Sequence, residues 1–217
     1  MSDDSLPVAG PGRPKDPSKR KAILEAAKRL FVSRGYSASS MDAIAAEAGV
    51  SKLTVYSHFT DKETLFAAAV TAKCEEQLPA LFFEFNAATP IHSTLLTIGR
   101  GFYALINSEE SLALNRLMLS QATHNPKLCQ LFYDAGPRQV IDAMEQLLRK
   151  AHIAGLLQVD DPRAAAEHFL SLIKGGHNMR LLAGIETCHN GAQAEHHIQD
   201  IVDLFLRAFS AAAPSAR

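Results

Sequence analysis

Residues 39–63 read SSMDAIAAEAGVSKLTVYSHFTDKE, and this stretch decides the fold. Met41, Ile44, Ala45 and Ala48 fall at i, i+3, i+4 and i+7, one face of a short helix. Ser39 opens a Ser-x-x-Asp pattern that closes at Asp42, a capping box for that helix. Gly49 follows the last apolar position, where a chain leaving a helix through the left-handed region takes glycine. Ser51 then stands where a second N-cap belongs. Helix, tight glycine turn and helix make the helix-turn-helix pattern, whose second helix lies in the DNA major groove. The same spacing also serves a plain helical hairpin in a small bundle.

The second helix carries the discriminating residues. Val55 and Phe59, four apart, face inward; Lys52, Leu53, Thr54, Tyr56, Ser57 and His58 remain for the outside. No carboxylate intervenes before Asp61, so a cation, hydroxyls and an imidazole are presented together, which suits a polyanion. Residues 50–66, VSKLTVYSHFTDKETLF, together with Gly35-Tyr36, Ser39-Ser40-Met41 and Ile44-Ala45, resemble the signature of tetracycline-repressor (TetR) family regulators. The resemblance spans roughly Lys19 to Phe66. Two positions depart from it: Leu53 replaces a usually small residue, and Ser57 a frequent tyrosine or other large one. The expected base readers are Lys52, Leu53, Thr54 and Ser57, and the expected phosphate contacts are Ser40, Tyr56, His58 and Lys62. Thr60-x-x-Glu63 forms a further capping box, and Lys62 lies in the helical turn behind it, where exposed N–H groups already favour an anion.

Charge is distributed accordingly. The whole chain of 217 residues has a net charge of −1. The window Arg13 to Lys62 holds ten Lys/Arg against five Asp/Glu, a net of +5, and leaves −6 for the rest. A basic first module on an acidic body fits a protein that meets DNA at one end. Residues 1–17 hold four prolines and no periodicity and read as a flexible basic arm. Its Gly12-Arg13-Pro14-Lys15 is similar to the arm of many members of that family, so Arg13 and Lys15 are candidates for the minor groove; a solvated tail is the alternative.

No segment has a period of two, so the fold is expected to be all-α, with about nine helices. The expected division is a helix-turn-helix domain over 18–65, a helical regulatory and dimerisation domain over 66–212, and a disordered tail at 213–217. The helix from Asp61 to about Phe85 joins the two, with Pro79 kinking or breaking it near Glu76. Around Leu117, Phe132-Tyr133-Asp134-Ala135-Gly136-Pro137 and Val159-Asp160-Asp161-Pro162, the chain is similar to the AefR-like subgroup of that family.

The last two helices are apolar beyond a single stripe, so each needs partners on two sides. The resemblance implies a homodimer through a four-helix bundle, with Phe169, Ile173, Gly176, Ile201, Phe205 and Phe209 at its interface; burial within one chain explains the same pattern. Gly175-Gly176 in mid-helix would let another backbone approach. Phe82, Phe102, Leu105, Met118, Gln121, Phe132, His177 and Arg180 are candidates for lining an effector pocket, with plain core packing as the alternative for each.

Catalysis finds little support: Gly-x-Ser-x-Gly, His-Glu-x-x-His, a phosphate-binding Gly-rich loop and Cys-x-x-Cys are all missing from the sequence. Ser18-x-x-Lys21 and Ser171-x-x-Lys174 match a loose acyl-enzyme pattern without its companions. Cys188-His189 and His196-His197 lack metal-ligand spacing, so neither metal nor cofactor is expected. Three distant cysteines, no apolar run of membrane-spanning length and no secretory leader point to a cytoplasmic protein. The expectation is therefore a ligand-responsive homodimeric repressor that binds a palindromic double-stranded operator and is released by a small hydrophobic effector. An activator or effector-independent regulator of the same fold is the first alternative. A helical enzyme, or a purely structural dimer, comes behind it.

Overall fold

A computed structural model describes residues 16–78, 88–186 and 191–210. These form α1 (Pro17–Arg34), α2 (Met41–Glu47), α3 (Lys52–His58), α4 (Lys62–Gln77), α5 (Ile91–Asn107), α6 (Glu109–Gln121), α7 (Pro126–Ala135), α8 (Pro137–Ile153), α9 (Pro162–Leu182) and α10 (Gly191–Phe209). There is no strand among the described residues, as the all-α expectation requires. The arm with Arg13 and Lys15, the segment with Pro79 and Phe82, Cys188-His189 and the tail at 213–217 lie outside the described residues.

Helix starts follow local chemistry. Asp16, Asn125 and Asp161 each place a side-chain oxygen on an N–H of the first turn, with proline at the first helical position behind them. Two caps differ from the sequence reading by one residue. Ser40, not Ser39, accepts from Ala43 N–H, and Asp61, not Thr60, accepts from Thr64 N–H at 2.7 Å. Ser39 is fully buried instead, its hydroxyl shared between the carbonyls of Leu30 (3.0 Å) and Gly35 (2.8 Å). It thereby satisfies the end of α1 rather than the start of α2.

The described part of α4 ends beside the break expected near Glu76. Gln77 is its last residue, and Leu78 has φ −126° and ψ 45°. Proline at 79 disfavours helical geometry in the residue before it, which places the break there. Inside α9, Gly175 has φ 55° and ψ −174°, a conformation essentially reserved for glycine, so this helix is broken in mid-course. The Gly175-Gly176 pair thus marks a break in the helix.

Two cores result. In the first, Ile23, Phe31, Ile44, Val55 and Phe59 of α1–α3 and its flanks meet Leu65 and Phe66 of α4, and Met118 and Leu128 of α6 and α7 close it from the other side. In the second, Ile98, Met144, Leu148, Phe169, Ile173 and Phe205 gather around Cys74 and Leu78. So α4 belongs to both. Phe169, Ile173 and Phe205 are fully buried inside the protomer, which corrects their expected place at a subunit interface. Ile201 and Phe209 are half-buried against the same core, and Gly176 is exposed. The apolar side chains that α9 and α10 turn outward are Leu172, Met179 and Leu204.

Candidate nucleic-acid interface and inner cavity

The reading head is built from backbone geometry first. Gly49 takes φ 66°, Gly49 N–H bonds Ala46 O (3.2 Å), and Val50 N–H bonds Ala45 O (3.0 Å). This double closure satisfies the last carbonyls of α2 and turns the chain sharply. Ser51 then caps α3 by accepting from Thr54 N–H, and its hydroxyl lies 2.8 Å from that of Thr54. Val55 is fully buried and Phe59 nearly so, which fixes the roll of α3 and leaves its opposite face to solvent.

That face carries all four expected base readers. Leu53 is 79% exposed, and an apolar group there can meet a thymine methyl. Thr54 is half-buried at the cap, and Ser57 donates to Thr54 O at 2.7 Å while its lone pairs stay open. Lys52 is paired with Asp42 of α2 at 2.9 Å, and this hydrogen bond raises the pKa of its ammonium. Both partners are well exposed, so the pair is weak and exchangeable for a phosphate or a base edge.

The expected phosphate contacts divide. Ser40 is exposed at the N-terminus of α2, and Tyr56 is exposed with Lys52 Nζ over its ring, 6.0 Å from the centre. His58 is half-buried against Phe59. Lys62 is engaged within the protein: its Nζ donates to Tyr36 O (3.0 Å) and sits 4.3 Å from the centre of the Tyr36 ring. It clamps the start of α4 to the turn behind α1. Sequence reasoning missed this role because it needs a carbonyl 26 residues away. It also missed Arg20, whose guanidinium lies 5.3 Å over the Phe59 ring and brings the basic first turn of α1 beside the end of α3. Lys28 and Arg29, by contrast, are spent on Glu25, Glu76 and Glu47.

In the second half of the chain, a cavity of about 230 Å³ opens between α4, α5, α6, α8 and α9. Of the expected lining residues, Phe102, Leu105 and Phe132 are there. Met118 is not; it belongs to the first core, where α6 meets the reading head. Gln121 does not line the cavity either. His177 and Arg180 line a separate cavity of about 270 Å³ with Tyr103 and His197. Glu186 already meets both there, at 2.6 Å from His177 Nδ1 and 2.5 Å from Arg180 Nε. The Arg180 guanidinium holds the Glu186 carboxyl below its usual range.

The residues that the sequence did not reveal in the first cavity are Val70, Lys73 and Cys74 of α4, Asn115 of α6, and Lys174 and Asn178 of α9. Burial pushes the Cys74 thiol up to about 11, so it acts as a small apolar wall and not as a nucleophile. Val70 and Cys74 are four apart, and that spacing alone does not distinguish a cavity wall from a core contact.

Comparison with known proteins agrees with this architecture. The family model described as bacterial regulatory proteins, tetR family, matches residues 23–69, and the one described as AefR-like transcriptional repressor, C-terminal domain, matches residues 93–211. The fold is similar to that of a solved flavonoid-responsive regulator, FrrA, at a TM-score of 0.67 and 34% identity, covering 91% of this chain and 100% of that one. The sequence is 25% identical over 171 residues to the repressor AcnR of Corynebacterium diphtheriae, covering 78% of this chain and 84% of that protein. It is 47% identical over 96 residues to the activator FasR of Mycolicibacterium smegmatis, covering 44% of this chain and 43% of that protein. With the second model spanning more than half of its residues behind a reading head that the first one matches, the chain belongs to the TetR family and is a helix-turn-helix regulator of transcription, not an enzyme.

Proposed function

We infer that the protein is a homodimeric repressor that leaves its operator when a small, largely apolar effector enters the cavity between α4 and α9. One observation carries this reading. Helix α4 supplies Leu65 and Phe66 to the core beneath the recognition helix and, a turn further on, Val70, Lys73 and Cys74 to the cavity wall. A ligand that fits only one position of α4 changes the spacing of two recognition helices in a dimer, and successive major grooves then no longer match. The flavonoid response of FrrA and the repressor role of AcnR support both halves of the reading.

In this reading Lys52, Leu53, Thr54 and Ser57 meet base edges, and Ser40, Tyr56 and His58 meet phosphate, with Arg20 of α1 near the end of α3. Lys62 serves the clamp on Tyr36 first. Leu172, Met179 and Leu204 form the apolar centre of the subunit contact, and a palindromic operator mirrors the two-fold axis. The test is fluorescence anisotropy with the DNA upstream of the protein's own gene, at several salt concentrations, with and without hydroxylated aromatic compounds. Retention at low salt that competitor DNA cannot remove is expected. A monomeric mass by light scattering at micromolar concentration, or no specific retention, refutes the reading. The similarity to FasR favours an activator as the second reading; a footprint upstream of the promoter rather than across it would select it.

A further inference from the structure

The cavity has one feature that its apolar walls do not explain. Asn178 of α9 lines it, is 2% exposed, and donates from Nδ2 to Ile106 O (3.2 Å) and Asn107 Oδ1 (2.8 Å). A carbonyl cannot donate, so the Ile106 contact fixes which way round the amide stands. Its Oδ1 is left without a donor inside the protein. A buried acceptor in that state is costly, and such groups are normally satisfied by a neighbour, a water or a ligand. Four residues earlier, on the other side of the break at Gly175, Lys174 lines the same cavity, is exposed and has no carboxylate partner among the described residues. The other lysine on the wall, Lys73, is already paired with Glu110 at 2.6 Å. One free acceptor deep in the wall and one free cation therefore belong to a cavity otherwise dominated by Phe102, Leu105, Val140 and Phe132. An apolar cavity of about 150 Å³ accommodates benzene, so about 230 Å³ suits a single ring with a short substituent.

The geometry points to an effector of defined class: a hydroxylated aromatic acid, whose ring hydroxyl donates to Asn178 Oδ1 and whose carboxylate meets Lys174. This rests on the effector reading above and narrows it. Satisfying a buried acceptor makes the site reject an analogue that lacks the hydroxyl, because the acceptor is then desolvated and unpaired. The carboxylate contributes less, since Lys174 is exposed and screened by salt.

Four probes separate the two handles: para-hydroxyphenylpropanoate has both, para-methylphenylpropanoate the acid alone, para-propylphenol the hydroxyl alone, and propylbenzene neither. Dissociation constants are measured by calorimetry or competition on the full-length protein, in low salt. The hydroxyl should tighten binding at least about tenfold, close to 1.4 kcal/mol, in both the acid pair and the neutral pair. The acid preference should disappear in Lys174→Gln, and the hydroxyl preference should fall to less than about twofold in Asn178→Ala. If Asn178→Ala does not fold, Ile141→Phe, which fills the same cavity, must abolish binding of the hydroxy acid. Equal binding of hydroxyl and methyl probes to the native protein overturns the inference, as does a hydroxyl preference that survives Asn178→Ala or Ile141→Phe. In either case binding of propylbenzene that Ile141→Phe removes leaves the effector cavity itself intact. If none of the four binds, this inference and the effector reading fall together.

Discussion

The neighbouring glycines of α9 should respond in opposite directions to alanine, and the reason lies in one dihedral angle. Gly175 has φ 55° and ψ −174°, a region that costs an L-residue about 1–3 kcal/mol. A Cβ there would also lie 3.1 Å from His197 Nε2, the atom that bonds Ile173 O at 3.1 Å. That carbonyl is one that the helix break exposes, so disturbing His197 adds to the strain rather than relieving it. Gly176 has no such positive φ. A Cβ on it meets only the tip of Arg180 at 3.4 Å, and alanine for glycine at a compatible backbone geometry stabilises by roughly 0.4–1 kcal/mol through the unfolded chain. Gly175→Ala should therefore lose, and Gly176→Ala gain, for a spread of about 1.4–4 kcal/mol. For a chain of this size that is a gap of roughly 3–16 °C between their melting midpoints. Thermal unfolding followed by far-ultraviolet circular dichroism, at equal protein concentration, measures it. Coincident midpoints, or Gly176→Ala as the less stable variant, would refute the assignment of the break to Gly175. A loss on Gly176→Ala accompanied by a halved mass would further show that Gly176 lies at a subunit contact after all.

Four further outcomes are expected. Ser39→Ala leaves two buried carbonyls unanswered and should cost about 1–3 kcal/mol by denaturant titration, against about 1 kcal/mol for the exposed cap in Ser40→Ala; the reverse order would return the cap to Ser39. Lys52→Ala should lower the slope of log affinity against log salt by about 0.9, whereas Asp42→Asn, which frees Lys52, should tighten DNA binding at low salt; an unchanged slope removes Lys52 from the DNA. Swapping Leu53 and Ser57 for the commoner residues of the family should alter which operator is selected more than the non-specific affinity, as read by selection from a random-sequence library. The Thr64 N–H holds the Asp61 carboxyl below its ordinary value of 3.8. Because the folded value is the lower one, its stabilisation is present above the unfolded value and lost as pH falls through the folded one. Asp61→Asn, which keeps a capping oxygen, should therefore flatten the acid limb of the stability profile below that range and change little at neutral pH.

What the sequence revealed and what it hid separate along a physical line. Local signals were legible: proline behind Asp16, Asn125 and Asp161, glycine at 49, and the roll of α3 set by Val55 and Phe59 are each decided within a turn or two of chain. The failures needed distant groups. Adjacent hydroxyls at Ser39 and Ser40 fit the same capping pattern, and only the carbonyls at the end of α1 decide which one is withdrawn into the interior. Lys62 looked available to phosphate until Tyr36 came to lie beneath it. Phe169, Ile173 and Phe205 lie on the broad apolar faces that a dimer bundle requires, but a protomer with Met144 and Leu148 opposite consumes them first. The cavity was hardest, because a void is defined by the side chains that fail to fill it. Val70 and Cys74 carry the same spacing whether they meet a neighbour or a space.

The position of α4 explains how so small a cavity can govern DNA binding on the proposed mechanism. Its first half is held to the reading head by aromatic contact: Phe66 meets the rings of Phe31 and Tyr36 edge-on at 5.2 Å, and Lys62 pins Tyr36 from the other side. Its second half is held by polar contacts, Thr71 to Ala135 O at 2.9 Å and Glu76 to Lys28 at 3.0 Å. These ring contacts couple Phe66 to α1 and to the turn behind it, so a displacement of α4 passes into the reading head. The ion pair of Glu76 runs back to Lys28 of α1, whose side chain is largely buried, so it ties the far end of α4 to the same reading head. A ligand pressing on Val70 and Cys74 therefore pushes a helix that is joined to the reading head at both ends, through Phe66 and through Glu76. Its displacement carries α1–α3 with it as one body. Inverting a two-state population from one part in a hundred to ninety-nine requires about 5.5 kcal/mol of differential binding. A single neutral hydrogen bond contributes only about 0.5–1.5 kcal/mol, so the hydroxyl at Asn178 can select the effector but cannot by itself drive release. Most of the driving force must come from the ring, which finds its full apolar contact only when Val70 and Cys74 have moved.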